Sequence, residues 1–126
     1  MSAFTELTLP FEASAAIVFN RFVKQSGNQT VAQCAASTDR ALGVATTNIS
    51  TAEATAGKGT AVVVLGVAWT EAGAAVALGS RVMPDASGRA ITAATVGNIP
   101  CGVAMKAAAG AGELIPVLLS PGVAAL

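Results

Sequence analysis

The sequence has no histidine and no tyrosine. Without histidine there is no imidazole general base, no imidazole metal ligand and no Ser–His or Cys–His nucleophile pair. Only two cysteines are present, Cys34 and Cys101, and two thiols without partner ligands cannot build a structural zinc site. They read as two buried reduced thiols of a cytosolic chain, with a single disulfide as the other option. Charge is scarce as well, at 11% of residues against roughly 25% in an ordinary domain. Its seven basic and seven acidic residues cancel, and the basic ones are scattered singly. Nucleic-acid binding needs clustered Lys and Arg to displace counterions, so no nucleic-acid partner is expected. The longest apolar run, Ala61 to Trp69, is interrupted by Gly66 and falls far short of the ~20 residues of a spanning helix. No membrane partner is expected. The opening MSAFTELTLP lacks a basic start and an apolar core, so it does not read as a secretory signal.

What the chain does have is small apolar residues. Hydrophobic residues reach 53%, much of it alanine, while aromatics are only 4%. At 126 residues one domain, residues 1–126, is expected. A weakly charged, neutral surface suits a chain that packs against copies of itself or a partner.

The arrangement of these residues repeats. Arg21-Phe22-Val23-Lys24, a Gln25-Ser26-Gly27-Asn28 turn and Gln29-Thr30-Val31 match Arg81 to Ile91, which turns at Asp85-Ala86-Ser87-Gly88. That offset is 60 (81 − 21). Glu12 to Ile17 matches Glu71 to Val76 at 59 (71 − 12), and Gly43-Val44-Ala45 matches Gly102-Val103-Ala104 at 59 (102 − 43). Gly57-Lys58-Gly59 with its following strand matches Gly110-Ala111-Gly112 at 53 (110 − 57), the first copy carrying a longer linker. These landmarks, falling in one order, indicate internal duplication, with repeat one at about 5–65 and repeat two at about 66–120.

Each copy reads as β structure, short apolar runs punctuated by Gly, Ser, Asn, Asp and Pro. Thr5 to Phe11 alternates, with Leu7, Leu9 and Phe11 on one side, and so reads as a half-buried strand that Pro10 places at an edge or strand end. Ser50-Thr51-Ala52-Glu53 fits a capping box and predicts one helical turn. Ala104 to Ala109 follows the repeat as strand and turn. The two Gly-rich loops lack the Lys-Ser/Thr pair and helix of a phosphate cradle and read as turns. The expected fold is all-β, a small β-barrel or sandwich built from two duplicated units, related by approximate two-fold symmetry and closed on one another to protect strand edges. An N-terminal arm at about 1–10 and a tail at about 120–126 lie outside that core.

No catalytic constellation emerges, and no enzyme, cofactor or metal is expected. Glu12 and Glu71 would flank a glycosidic bond only if they faced each other; solvated turn residues repeated by duplication is the preferred reading. Asp39-Arg40 and Asp85 with Arg89 read as local pairs, and Trp69 as a core or interface anchor.

Several of these stretches together resemble the capsid decoration, or cement, proteins of tailed phages. They are the Arg21 to Lys24 run before its turn, Gly43-Val44-Ala45, Leu65-Gly66-Val67, Leu78 to Val82, the Pro84-Asp85 to Gly88-Arg89-Ala90 turn, and Gly102-Val103-Ala104 with Gly112 to Val117. The resemblance implies a β-tulip-like barrel fold and a homotrimer at three-fold positions of an icosahedral head. It also implies assembly in the host cytoplasm, a place on the capsid exterior, and a mechanical role bridging subunits of the major capsid protein. Leu7, Leu9, Phe11 and Trp69 are the expected capsid or intersubunit contacts, a strand added to a neighbour's sheet being one way to grip. The other readings are a tail-tube or spike subunit, and a small-ligand-binding barrel, which would need a sizeable polar-lined cavity.

Overall fold

A computed structural model describes residues 6–120 and Leu126, and the expected all-β fold is the one the chain adopts. In chain order the elements are β1 (Glu6–Ala13), β2 (Phe22–Gly27), β3 (Thr30–Gln33), β4 (Gly43–Ala45), α1 (Thr51–Thr55), β5 (Gly59–Glu71), β6 (Arg81–Pro84), β7 (Ala90–Thr92), β8 (Gly102–Ala104) and β9 (Leu114–Leu119). The short helix has the anticipated box, Ser50 and Glu53 each accepting from the other's backbone N–H.

Pairings run in two circuits. In the first, β1 pairs with β3, β3 with β2, β2 with β4, β4 with β5, and the first half of β5 returns to β1. The second runs from the latter half of β5 through β9, β8, β6 and β7. A parallel bridge between Ala72 and Ala90 closes it. Each unit is therefore a small ring closed on itself, where the sequence suggested halves closing on one another. The 13-residue β5 belongs to both and runs straight through the expected 65/66 boundary, with Gly66 at φ 96° inside it.

Duplication is written in the hydrogen bonding. The Ile17–Ile49 bridge recurs as Val76–Ala108, 59 positions on (76 − 17 and 108 − 49). Left-handed Asn20 and Gln29 recur as Gly79 and Gly88, again at 59 (79 − 20 and 88 − 29). This corrects the hairpin offset of 60: Phe22, not Arg21, occupies the place of Arg81. It also corrects the last strand. Val44 pairs with Val63 and Val103 with Leu118, an offset of 55 (118 − 63) where the glycines had suggested 53. The look-alike letters, an arginine and a glycine pair, stand at strand ends and in turns, where position is free; register inside the strands is not.

Ring interiors match residue for residue. Ala13, Ile17, Val23, Val31, Ala45, Ile49, Val62 and Val64 fill the first. Ala72, Val76, Val82, Ala90, Ala104, Ala108, Val117 and Leu119 fill the second. Side chains alternate in and out along each strand, and a closed ring this narrow has room only for small interior groups. That is the physical reason for so much alanine and valine. Close approach also fixes two glycines. A Cβ on Gly43 would lie 2.1 Å from the Val63 carbonyl oxygen, and one on the equivalent Gly102 would lie 2.8 Å from that of Leu118.

Of the expected arm, residues 6–10 are the start of β1 and pair along β5; residues 1–5 lie outside the described residues. Of the expected tail, residues 121–125 lie outside them too. Leu126 exchanges backbone hydrogen bonds with Gly97 and Asn98 at 2.9 and 2.7 Å.

Candidate interaction surface

The outward face of the first ring covers one flank of the second. Phe22, Val44 and Val63 point away from their own interior and join the cluster that holds Ala68, Cys101, Ile115 and the second ring's interior. Around this apolar seam the backbones bond directly. Phe22 N–H donates to the Gly88 carbonyl and Glu71 N–H to that of Asn20, each at 2.8 Å. The Ser87 carbonyl accepts from Gln33 at 2.9 Å and from Arg21 at 3.4 Å.

An ionic group sits at the rim. Glu71 faces Arg21 at 3.4 Å and Arg89 at 3.7 Å, and Arg89 faces Asp85 at 3.4 Å. Asp85 also accepts from the N–H groups of Ser87 and Arg89, so the expected Asp85–Arg89 pair is present. Asp39 does not pair with the adjacent Arg40 as expected. Lys24 reaches it at 3.1 Å, and Ala35 and Ala36 donate to it from the backbone. Although burial opposes ionisation, those backbone donors and the Lys24 ammonium hold the Asp39 carboxyl below the ordinary range. Glu12 and Glu71 are strand ends rather than turn residues. They lie in separate rings, and Glu71 is engaged by its arginines.

This seam is not the expected two-fold. A two-fold would bury matching patches on both rings. Here Val63 is 3% exposed and its equivalent Leu118 46%; Ala68 is 3% exposed and its equivalent Leu9 39%. The contact is head to tail and leaves one unused face on each ring.

The predicted contact residues fall near the unused face of the first ring. Leu7 and Leu9 are exposed on β1, with Leu65 beside Leu7 across the pair. Phe11, on the same strand, is half-buried and packs on the first ring's core together with Leu42. Trp69 lies elsewhere, half-buried at the seam in a cleft of about 140 Å³ with Val44, Val63 and Ala68. What sequence reasoning missed is the other unused face, with Arg81, Val103 and Leu118. Leu114 to Leu119 is an unbroken apolar run, so no alternation in the sequence marked Leu118 as outward-facing.

Cys34 and Cys101 are free and buried. Burial, and then the Asp39 charge, push the Cys34 thiol up to about 12. Burial, and then its neighbour Cys34, raise Cys101 as well. Such thiols are poor nucleophiles. Among the described residues no three His, Cys, Asp or Glu side chains group to hold a metal, and no helix is long and apolar enough to cross a membrane. The ring interiors are packed with alkyl groups, and the cleft at the seam is smaller than the ~300 Å³ at which ligand sites begin.

A model of the phage cement protein family matches residues 1–119. No curated protein matches the chain. Among solved structures, the head fiber gp8.5 N base of bacteriophage phi29 has a similar fold. The TM-score is 0.71 at 17% identity, over 92% of this chain and 95% of that one.

Proposed function

Given that the chain belongs to the phage cement protein family, we propose that it is a structural protein of a phage head that works without catalysis. It sits on the outer surface of the shell as a homotrimer and ties neighbouring subunits of the major capsid protein together. The observation that carries this reading is the family match along residues 1–119. The chain's surface suits the role. Apolar side chains stand out at Leu7, Leu9, Leu65, Leu78, Met105 and Leu118, on a body whose formal charges cancel. A protein with this surface gains by covering it. Leu7 and Leu9 are the contacts proposed on the first ring, with Phe11 behind them and Trp69 bracing the seam.

Co-sedimentation with expanded, undecorated heads of the source phage tests it. Saturable binding in a multiple of three copies per local three-fold position, with heads that withstand more heat, is the expected result. No binding, together with stacked rings or fibres of the purified chain, would move the protein to a tail or spike role.

A further inference from the structure

The two unused faces are the two halves of a contact that the chain already makes internally. In the internal seam Val44 and Val63 of the first ring cover Ala68 and Cys101 of the second. Their equivalents are Val103 and Leu118, on the outward face of the second ring, and Leu9 and Leu42, on the flank of the first. Leu118 is 46% exposed and Leu9 39%. Val103 and Leu42 are each half-buried.

Charge follows the same pattern. In the seam Arg21 faces Glu71 across 3.4 Å. Glu12 is the equivalent of Glu71 (71 − 12 = 59), stands exposed beside the flank of the first ring, and takes part in no ion pair among the described residues. Arg81 is exposed on the outward face of the second ring and is also outside every such pair. It stands one position beyond the equivalent of Arg21, within the reach of a long side chain.

We infer that a second copy of this chain docks here, head to tail. Val103 and Leu118 of one copy lie on Leu9 and Leu42 of the next, with Arg81 opposite Glu12. The larger Leu118 and Leu9, in place of Val63 and Ala68, set the copies slightly farther apart than the rings within one chain. Such a contact uses two different patches, so it propagates from copy to copy and stops only where the rotation closes a ring, which the homotrimer of the proposed function requires at three copies. This deepens the homotrimer in the proposed function by naming its faces, and it is tested in solution, without heads, so that its failure and a failure to bind heads are separate results.

The experiment is sedimentation velocity on the purified full chain and on Leu9→Asp and Leu118→Asp, with circular dichroism and thermal melts confirming the fold of each. The wild type is expected to form a closed oligomer and each variant to sediment as a single copy. An equimolar mixture of the two variants retains one intact pair of faces and is expected to yield dimers and nothing larger. Glu12→Arg and Arg81→Glu should each weaken assembly at low salt, and the double variant should recover it. A monomeric wild type, variants with wild-type mass, or a mixture that stays monomeric overturns the inference. Should either Asp variant fail to fold, the charge-swap set decides: loss and recovery support the contact, and no effect overturns it.

Discussion

Val63 and Leu118 hold the same position in the two rings, yet Val63 is 3% exposed and Leu118 46%. The same strand geometry therefore serves as a glued joint in one place and as an open surface in the other. In the Leu9→Asp background, at a concentration where sedimentation shows a single copy, Val63→Ala should cost roughly 2 kcal/mol of unfolding free energy through lost burial and the void left behind. Leu118→Ala should leave it within about 0.5 kcal/mol, as a surface substitution does. Urea denaturation of the pair measures the contrast, and equal losses would contradict the asymmetry.

Glu71 holds two arginines, Arg21 and Arg89, at the rim of the seam. Removing the carboxylate leaves Arg21 without its counterion and Arg89 with Asp85 alone. Glu71→Ala should cost about 1 kcal/mol, more than an exposed pair would, since the carboxylate is only about one-fifth exposed. Raising the salt concentration should narrow the difference from wild type in the same denaturation experiment.

Gly43→Ala forces a Cβ to within 2.1 Å of the Val63 carbonyl oxygen, a backbone atom that cannot swing aside. Parting β4 from β5 is the only relief, so the loss should be at least about 3 kcal/mol, or the chain should fail to fold. Gly110→Ala meets nothing within 4 Å and should fall within about 0.5 kcal/mol of wild type. Thermal melts of the two variants side by side provide the check.

Cys34 and Cys101 should be silent to a thiol reagent near neutral pH in the folded chain and react fully after denaturation. Their linkage to stability has a definite sign. An unfolded thiol loses its proton near 9.0, while folded Cys34 keeps its proton to about 12. Between those values the folded state binds more protons, so stability is intact below 9 and falls as the pH rises through the window. Chemical denaturation across alkaline pH should show that fall, and Cys34→Ala should reduce it.

Glu53 titrates in the opposite sense. The Lys58 ammonium, and then the Ser50 N–H, hold its carboxyl at about 2, against 4.5 unperturbed. A depressed carboxyl stabilises the folded form above its unfolded value and loses that contribution as pH falls towards the folded one. Helix α1 should therefore open between pH 4.5 and about 2 while both rings stay closed, since it buries no residue of its own. Amide exchange of residues 51–55 should follow the titration, and Ser50→Ala should speed it several-fold at neutral pH.

Local chemistry made part of this molecule legible before any coordinates. Leu7, Leu9 and Phe11 alternate, so β1 declared itself; Ser50 and Glu53 declared α1; glycines marked the turns and the duplication. Partners distant in sequence decided the rest. No nearby residue says that β1 returns to β5, and that pairing is what turns a meander into a ring. Gly66 looked like the end of a strand because glycine usually interrupts one, but here it lets β5 pass through a left-handed residue without stopping. Asp39 passed over its neighbour Arg40 for Lys24, since adjacent side chains diverge and chain folding brings a more distant one near. Of the site, the β1 leucines were readable as an apolar stripe. Their counterpart on β9 became visible as a face only when the equivalence of Leu118 with covered Val63 was known.

Because β5 is common to both rings, a pull on one reaches the other along peptide bonds instead of through side-chain adhesion. Separating the rings under tension would mean sliding β1 or β9 along β5, a shear in which the hydrogen bonds of a pair bear the load together. A seam of side chains alone would peel one contact at a time. The two rings are thus joined by one continuous strand, and a pull on either is carried to the other by covalent bonds.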